Sequence, residues 1–473
     1  MIGRLFRPLL AAGVALAAAA CLSASEGDKT GASGPREISP EFWLTDPAGS
    51  VLLRRQHPPS PPSGGATASI VVDHGATFQT VDGFGYTLTG GSAMMIDALE
   101  AREGDALLKE LFSPEGDGIG TSYLRISLGA SDLDPAAFSY DDMPPGQKDP
   151  ELKNFSLGPH KKDLVPVLKR ILAIDPDIKL LASTWSPPPW MKARSTFIGS
   201  SLADGGAYAR YIVRYIQAMR EEGIRIDAIT VQNEPLNPDN EPSMIMTPAK
   251  QRDFIKYDLG PAFAREGIRT KILLYDHNCD EPGYPLSILE DEQARRFIDG
   301  SAFHLYAGDI SALSMVHDAH PDKNVYFTEQ WVGAPGNLAE DFRWHVKTVI
   351  IGSMRNWSKT ALEWNLASDP AYDPHTPGGC ETCLGALTIG GGIKRNPAYY
   401  IVAQAAKFIR PGSVRIGSNL PPDLPNVAFK TPDGKTALIV LNDGASARTF
   451  RVSDEGKTFA AVLNPGAAGT FVW

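Results

Sequence analysis

Eight short runs of apolar and β-branched residues recur through the middle of this 473-residue chain, and each ends at a polar, aromatic or glycine-rich position. Stretches whose apolar residues follow a helical period separate most of them, at 164–173, 208–222, 248–266 and 290–298. The eight predicted strands cover 81–88, 123–128, 178–184, 227–232, 271–275, 301–305, 325–328 and 360–364. Strands that alternate with helices in this way predict a (β/α)8 barrel, placed at residues 76–410.

The rest of the chain favours β-structure. Six short strand-forming runs follow the barrel region, at 415–416, 427–430, 437–441, 448–452, 459–463 and 470–473. Asp433-Gly434 and Asp443-Gly444 mark turns between them. Segments 42–53 and 69–72 add candidate strands before the barrel. We therefore expect an all-β sandwich built from both chain termini, with residues 41–75 and 411–473 as its two parts.

The amino terminus has the pattern of an export signal. Arg4 and Arg7 precede an alanine-rich apolar stretch at 9–22, which is shorter than the ~20 residues of a membrane span. We expect a signal peptide over residues 1–25, a secreted or periplasmic protein, and no transmembrane span. Ala18-Ala-Ala-Cys21 is an imperfect lipoprotein cleavage site, so Cys21 is a candidate for lipid anchoring to the outer membrane. Residues 26–40 are predicted to be a disordered tether.

Composition excludes several other classes. The net charge is −10 and no basic run is present, which argues against a nucleic-acid partner. The sequence contains neither a phosphate-binding Gly-x-x-x-x-Gly-Lys loop nor a Gly-x-Ser-x-Gly elbow. Cys380-Glu-Thr-Cys383 is a weak zinc signal without a second ligand pair, and a local disulfide and two free thiols both remain open for it. Cys279 is expected to be a buried free thiol. No metal or cofactor is predicted.

The residues at the ends of the predicted strands point to carbohydrate chemistry. In a (β/α)8 barrel the functional site forms at the carboxyl ends of the strands. Polar, acidic and aromatic residues gather there: Arg125, Asp132, Trp185, Asn233, Glu234, Asp276, His277, His304, Tyr306, Glu329, Trp331, Trp364 and Asn365. Aromatic rings stack on the apolar faces of sugars, while carboxylates, amides and arginine bind hydroxyls. Each residue alone is equally consistent with packing or capping, but that interpretation does not explain their occurrence at so many strand ends.

Two glutamates stand out in this set. Glu234 and Glu329 lie 95 residues apart, and each directly follows a strand-forming run. A pair of carboxylates suits cleavage of a glycosidic bond, since one attacks or activates while the other donates a proton. A separation of about 5–5.5 Å gives retention through a covalent glycosyl-enzyme, whereas roughly 6.5–9.5 Å gives inversion; we expect retention. We also expect that an ionised Glu329 keeps the proton on Glu234 before attack.

The order and spacing of short motifs resemble glycoside hydrolase family 30, which includes lysosomal-type glucosylceramidases and bacterial and fungal β-1,6-glucanases. The motifs are QTVDGFG at 79–85, LTGGS at 88–92, LRIS at 124–127, SD at 131–132, NFSL at 154–157, WSPPPW at 185–190, QNEP at 232–235, DLGP at 258–261, DHN at 276–278, HLY at 304–306, TE at 328–329 and WNL at 364–366. The resemblance covers nearly the whole chain, from about residue 42 to residue 473.

The resemblance implies roles for individual residues. Glu234 would be the acid/base, Glu329 the nucleophile, and Asn233 the contact to the sugar 2-hydroxyl. Residues that line the glucosyl subsite or surround the nucleophile are implied at Arg125, Asp132, Trp185, His304, Tyr306 and Trp364. Trp331, two residues after Glu329, is assigned to substrate binding from its position.

The expected activity is that of a secreted retaining β-glycosidase. Its substrate would be a β-glucan, a glycolipid or another β-glucoside, with glucosylceramidase and β-1,6-glucanase activities as close rivals. The alternatives are another β-glycosidase of the family, such as a β-xylosidase, β-fucosidase or glucuronoxylanase, and a carbohydrate-binding surface protein without activity.

Overall fold

A closed barrel of eight parallel strands and a ten-stranded sheet form this protein, as seen in a computed structural model that describes residues 36–58 and 65–473. The predicted signal peptide with Cys21, and residues 26–35 of the predicted tether, lie outside the described residues. The predicted fold class, a (β/α)8 barrel with a sandwich built from both termini, is confirmed.

Four strands precede the barrel. They are β1 (Arg36–Glu37), β2 (Glu41–Asp46), β3 (Val51–Gln56) and β4 (Ala68–Thr80). Arg36 and Glu37 fall within the predicted tether, but they pair in parallel with a carboxyl-terminal strand at Lys457 and Thr458 and so belong to the sandwich.

The central part of the chain supplies the barrel and two small sheets beside its mouth. Its strands are β5 (Gly83–Leu88), β6 (Tyr123–Ser127), β7 (Lys179–Ser183), β8 (Ala228–Thr230), β9 (Lys271–Cys279), β10 (Ile298–Gly308), β11 (Asn324–Glu329), β12 (Val332–Gly333), β13 (Ser358–Asn365), β14 (Ala367–Ser368), β15 (Cys383–Leu384), β16 (Leu387–Ile389) and β17 (Ile393–Arg395). The barrel closes in the order β10-β11-β13-β5-β6-β7-β8-β9, and all eight predicted strands occupy these positions.

Twelve α-helices occur among the described residues. They are α1 (Gly90–Asp97), α2 (Ala101–Phe112), α3 (Leu164–Ile174), α4 (Gly205–Glu221), α5 (Pro248–Phe254), α6 (Gly260–Glu266), α7 (Gly283–Leu289), α8 (Glu292–Arg295), α9 (Ala312–Ala319), α10 (Leu338–His345), α11 (Ser353–Arg355) and α12 (Pro397–Ala406). A π-helical stretch, Ile255–Leu259, joins α5 to α6, and another, Val346–Gly352, joins α10 to α11. Short 3-10 helices occupy Gly158–Lys161 and Pro189–Met191. The predicted helix at 290–298 is shorter than expected, because its apolar end, Ile298, already begins β10.

Helix α4 shows how these helices pack on the barrel. The side chain of Asp204 accepts a hydrogen bond of 2.8 Å from the backbone N–H of Ala207 and caps the first turn. Tyr208, Tyr211 and Tyr215 follow at helical spacing on the buried face, while Arg210 is exposed. One apolar face therefore covers the barrel and the other face meets solvent.

The carboxyl-terminal strands complete the sandwich. They are β18 (Val414–Ser418), β19 (Asn426–Lys430), β20 (Thr436–Leu441), β21 (Arg448–Asp454), β22 (Lys457–Leu463) and β23 (Ala468–Val472). Strand β4 pairs in parallel with β21 through its first part and antiparallel with β18 through the rest, so it continues from one layer into the other. Phe42 and Ile70 from the amino-terminal strands share one buried core with Phe450, Phe459 and Phe471. Neither terminal segment alone supplies this core.

Phe42 offers a test of this shared core. Its ring is 1% exposed and stacks on Phe471 with 4.6 Å between ring centroids. Phe42→Ala should lower the free energy of unfolding by about 3–5 kcal/mol, because it leaves a cavity between the two layers. Urea denaturation followed by fluorescence measures the change. Val71→Ala, at a side chain that is 50% exposed in the same sandwich, is the control. Equal effects of the two substitutions would contradict a core shared by both termini.

Candidate active site

The barrel interior is layered. Its lower layer is an apolar plug of buried side chains: Tyr123, Leu181, Ala228, Leu273, Ala302, Tyr326 and Leu362. Side chains alternate between the two faces of a strand, so residues two positions further on point to the same side. On most strands those residues are polar or aromatic: Arg125, Ser183, Thr230, His304, Thr328 and Trp364. A buried polar layer therefore lies directly above the plug, towards the carboxyl ends of the strands.

The carboxylate of Asp276 is at the centre of this polar layer. It accepts hydrogen bonds from five side chains: Arg125 Nη2 at 2.8 Å, Ser183 Oγ at 2.8 Å, Thr230 Oγ1 at 2.7 Å, Thr328 Oγ1 at 2.7 Å and His304 Nε2 at 3.1 Å. Burial opposes its ionisation, but the charges of Arg125 and His304 hold the pKa of Asp276 well below its usual value. Asp276 is thus a buried anion.

A local distortion of β9 brings Asp276 into the barrel. Strict alternation from Leu273 would turn Tyr275 inward, but Tyr275 and Asp276 have φ angles of +74° and +60° and the pairing with β10 shifts at this point. Tyr275 consequently packs in the outer core, 4.9 Å from the ring of Tyr284. Positive φ at such residues is uncommon and costs of order 1–3 kcal/mol each, so the surrounding contacts must hold this geometry.

Arg125 connects the buried anion to the pocket. It is fully buried, and its Nη1 donates to Glu329 Oε2 at 2.5 Å while Nη2 donates to Asn233 Oδ1 at 2.6 Å. Its guanidinium carbon lies 4.7 Å from the ring centroid of Trp185 and 5.6 Å from that of Trp364. This fork of donors fixes a carboxylate and an amide and also supports two indole rings.

The two predicted glutamates face each other above Arg125 and His304. Glu329 ends β11, and its Oε1 accepts a hydrogen bond of 2.9 Å from the Tyr306 hydroxyl. Glu234 has a φ of +45°, and its Oε2 accepts from Asn237 Nδ2 at 2.8 Å. One oxygen from each carboxylate and one ring nitrogen of His304 all lie within 4.8 Å of one another.

His304 controls the charge of this pair. Its Nδ1 is 3.2 Å from Glu234 Oε1 and its Nε2 is 3.1 Å from Asp276 Oδ1. Burial disfavours the charged ring, but the charges of Glu329 and Asp276 raise the pKa of His304 to about 10. It is therefore an imidazolium at neutral pH, with a proton on each ring nitrogen.

The protonation of the glutamates differs from the sequence-based expectation. Burial raises the pKa of Glu329, against the opposing charges of His304 and Arg125. Burial acts in the same direction on Glu234, but the hydrogen bond and charge of His304 outweigh it and lower the pKa of Glu234. In the substrate-free site the proton expected on Glu234 is thus held by His304, 3.2 Å away. The expectation considered only repulsion between the glutamates and left this histidine out.

The glutamates open into a pocket of about 670 Å³. Eight of the ten predicted site residues line it: Asp132, Trp185, Asn233, Glu234, Tyr306, Glu329, Trp331 and Trp364. The other two, Arg125 and His304, lie beneath its floor. The structure therefore brings all ten together. Further lining residues were not assigned from the sequence: Leu236, Asn237, Pro238, Asp239, Asn240, His277, Asn278, Gly378, Gly379, Cys380 and Cys383. Of these, only His277 is one of the strand-end residues named from the sequence. Most of the others lie in loops, whose sequences have no periodic pattern of apolar residues.

Three tryptophans shape the pocket wall. Trp185 and Trp364 lie 5.4 Å apart between ring centroids, and the buried Nε1 of Trp185 has no partner among the described residues. An unpaired buried donor at a pocket is available to a ligand acceptor. Trp331 packs beside the pair Cys380–Cys383, which forms a disulfide and so settles the alternative left open by the sequence. Cys279 is a buried free thiol, as expected.

Comparison with known proteins identifies the family. The model described as the glycosyl hydrolase family 30 TIM-barrel domain matches residues 81–409. The chain belongs to glycosyl hydrolase family 30. The model of the family 30 β-sandwich domain matches residues 412–471. This hydrolase is 32% identical over 444 residues to an endo-1,6-β-D-glucanase of Aspergillus fumigatus, covering 86% of this chain and 88% of that one.

Two further relatives frame the comparison. The lysosomal acid glucosylceramidase of Mus musculus is 27% identical, with 84% of this chain and 81% of that protein covered. The solved structure of an endo-β1,6-glucanase superposes with a TM-score of 0.84 at 33% identity, covering 92% of this chain and 99% of that one. The protein is an O-glycosyl hydrolase. Within residues 36–58 and 65–473, no helix has the length and apolar character needed to span a membrane.

Asp132 generates a prediction about stability and pH. Burial, with the charge of Glu329, raises the pKa of Asp132 to about 7. The folded protein then keeps a proton that the unfolded chain releases, so this group lowers stability as pH rises from about 4 to about 7. Asp132→Asn cannot ionise and should be more stable than the parent by up to about 4 kcal/mol at about pH 8, with the gain vanishing near pH 4. Denaturant unfolding across this range measures it. Asp105→Asn, at a carboxylate that is 71% exposed, is the control, and a pH-independent gain in Asp132→Asn would contradict the prediction.

Proposed function

We propose that this hydrolase cleaves β-1,6-linked glucans with retention of configuration. The observation that carries the proposal is the convergence of Glu234 and Glu329 within 4.8 Å, on a floor of Arg125 and His304, at the mouth of the barrel. The substrate follows from similarity. Three endo-1,6-β-glucanases are 31–33% identical to this chain, whereas four proteins named as glucosylceramidases are 27–28% identical over comparable lengths.

The outer half of the pocket also favours a hydroxylated leaving group. Asn237, Asp239, Asn240, His277 and Asn278 line it. Amides, a carboxylate and an imidazole suit the hydroxyls of a second sugar, while the alkyl chains of a ceramide would leave these groups without partners. A glucan therefore fits this wall better than a glycolipid.

The reaction is a double displacement. Glu329 attacks the anomeric carbon and forms a glycosyl ester, as the bond from that carbon to the leaving oxygen breaks and Glu234 protonates that oxygen. Glu234 then takes a proton from water, which attacks the same carbon and releases Glu329. Oxygens within 4.8 Å leave little room for the water that an inverting enzyme holds between its carboxylates, which supports retention.

The surrounding residues have supporting roles in this scheme. Asn233, held by Arg125, binds the 2-hydroxyl of the glucosyl unit, while Asp132, Trp185 and Trp364 bind the rest of that ring. His304 holds beside Glu234 the proton that the first step consumes. Tyr306 and Trp331 contact the substrate at the rim.

Export is part of the proposal. The basic and apolar pattern of residues 1–25 supports secretion or a periplasmic location, with Cys21 as a candidate lipid anchor. The mass of the amino terminus of the protein isolated from culture tests export and the anchor. Cleavage before Cys21 with an added lipid mass would show an anchor, and a protein that keeps Met1 would exclude export.

A substrate panel tests the activity. The purified protein should hydrolyse β-1,6-glucan with a kcat/KM at least about 100-fold above that for glucosylceramide, because a polar wall that the bound ligand covers discriminates against a ligand that leaves its groups unpaired. The kcat/KM for β-1,6-glucan should also exceed that for xylan. Reducing-end release and glucose release are the measurements. Faster hydrolysis of glucosylceramide or xylan would overturn the glucan assignment. Binding without cleavage of any of them, or of an aryl β-glucoside, would favour a carbohydrate-binding protein.

Replacement of the glutamates tests their roles. Glu234→Ala should still form the glycosyl ester from an aryl glucoside with a good leaving group and then stall; azide should restore turnover and yield a β-glycosyl azide. Glu329→Gln should lose turnover by a factor of roughly 10⁴ or more without azide rescue to the β product, since no ester forms. NMR of the azide product and burst kinetics report both. An α-configured azide from Glu234→Ala would exclude a retaining acid/base role for Glu234.

A further inference from the structure

A buried lysine lies behind the pocket, and the mechanism does not use it. Lys192 is 4% exposed. Its ammonium donates three hydrogen bonds, to Ser186 Oγ at 2.9 Å, to the Phe197 carbonyl at 3.1 Å and to the Ser243 carbonyl at 2.7 Å. No ion pair within 4.0 Å involves Lys192 among the described residues. Buried cations are usually paired with a carboxylate, so a buried ammonium held only by neutral oxygens is unusual.

The three acceptors belong to two different loops. Ser186 and Phe197 lie in the loop that follows β7, and Ser243 lies in the loop that follows β8. Ser243 reinforces the junction, since its N–H donates to the Phe197 carbonyl at 2.9 Å and its Oγ accepts a hydrogen bond of 2.8 Å from the N–H of Gly199. Lys192 thus sits where the two loops are joined.

These loops contribute residues to two different parts of the pocket. Trp185, next to Ser186, belongs to the inner half that takes the glucosyl unit under the proposed function. The second loop carries the outer wall from Leu236 to Asn240, including Asn237, which donates to Glu234. Lys192 is therefore one of the contacts that join the two parts of the pocket, together with hydrogen bonds such as that from the N–H of Ile245 to the Ser200 carbonyl.

We propose that Lys192 is a positioning residue that fixes the outer wall of the pocket relative to the inner half and so determines how well the enzyme uses substrates whose leaving group is a sugar. Lys192 is not among the residues that line the pocket, so it would act through its neighbours and not by contact with the substrate. The inference rests on the proposed function. It predicts a large effect on glucan and a small one on an aryl glucoside, whose activated leaving group needs little from the outer wall.

The charge of Lys192 matters because three acceptors need three donors. A neutral amine has two N–H groups, so loss of the proton leaves one buried oxygen unpaired. Burial, with the nearby charge of Arg194, lowers the pKa of Lys192 to about 7. Asp239 and Glu241 on the facing loop form no ion pair with it among the described residues. The contact is therefore complete below about pH 7 and weakened above it. Asp132 also titrates near pH 7, and the proton held by His304 and Glu234 is needed more for a sugar leaving group than for an aryl one. The effect of Lys192 is therefore the difference in pH dependence between the wild type and a variant without the ammonium.

The test compares kcat/KM for a β-1,6-glucan oligosaccharide with that for an activated aryl β-glucoside, in the wild type, Lys192→Met and Lys250→Met. Lys250 is exposed at the start of α5 and serves as the matched control. Lys192→Met should lose about tenfold or more on the oligosaccharide through KM, the size expected when a buried hydrogen-bonded group is removed, with little change on the aryl glucoside. Between about pH 6 and about pH 9 the ratio of the two values should fall several-fold more in the wild type than in Lys192→Met.

Each other result overturns the inference. Equal losses on both substrates would mean a general structural role, and a ratio that changes equally in the wild type and in Lys192→Met between about pH 6 and about pH 9 would remove the link to the ammonium. If Lys192→Met does not fold, Lys192→Gln, which also has no charge, replaces it in the same comparison. A wild type that cleaves the aryl glucoside but shows no larger shift in ratio than the variant refutes the positioning role only. A wild type that cleaves neither substrate overturns the proposed function and this inference with it.

Discussion

The buried carboxylate of Asp276 is the interaction on which the rest of the site depends. An isolated buried charge costs several kcal/mol, and removal of one partner from a buried pair is strongly destabilising. Here five side-chain donors, two of them cationic, compensate for that cost. Arg125 and His304 each hold Asp276 on one side and a pocket glutamate on the other. The contacts to Asp276 therefore set the positions of the two glutamates, although Asp276 itself does not contact the substrate. The bulge in β9 that turns Asp276 inward is thus part of the active site.

The same network explains how one site can give a proton in the first step of the proposed reaction and take one in the second. Three carboxylates, Asp276, Glu234 and Glu329, share two cations, Arg125 and His304. The charge of Glu329 is a main reason that His304 binds its proton tightly. In the proposed double displacement, formation of the glycosyl ester would remove that charge, so the affinity of the His304 and Glu234 pair for a proton would change as the reaction proceeds. The covalent step is thereby coupled to the protonation of the group that must act next.

Much of this was predictable from the sequence, and the failures have physical causes. The barrel and its ten site residues follow from strand periodicity, because the carboxyl ends of parallel strands meet at one edge. Asp276 lies at a predicted strand end, but the sequence assigns it no role. Regular alternation of side chains along β9 would point Tyr275 into the barrel, and only the positive φ angles of Tyr275 and Asp276 reverse this orientation. Lys192 was missed because its partners, Ser186 and Ser243, are brought together by two irregular loops without a period. Strand β4 was predicted only over 69–72, although it runs from Ala68 to Thr80, because its second half is polar on one face and carries Gly75.

The sandwich supports the active site by holding the barrel closed, and its role is structural, not chemical. The barrel closes between β5 and β13, which are distant in sequence, and closing a loop of that length costs conformational entropy. The end of β4 lies at this seam: Gln79 Nε2 donates to the carbonyls of Met354 and Ser358, and the N–H of Val81 donates to the carbonyl of Ser413 just before β18. Because β4 and β18 are paired in the sandwich, the seam is held by strands from both termini. These contacts lie at the amino ends of β5 and β13, away from the glutamates, so the sandwich supports the closed barrel from the end opposite to the pocket mouth.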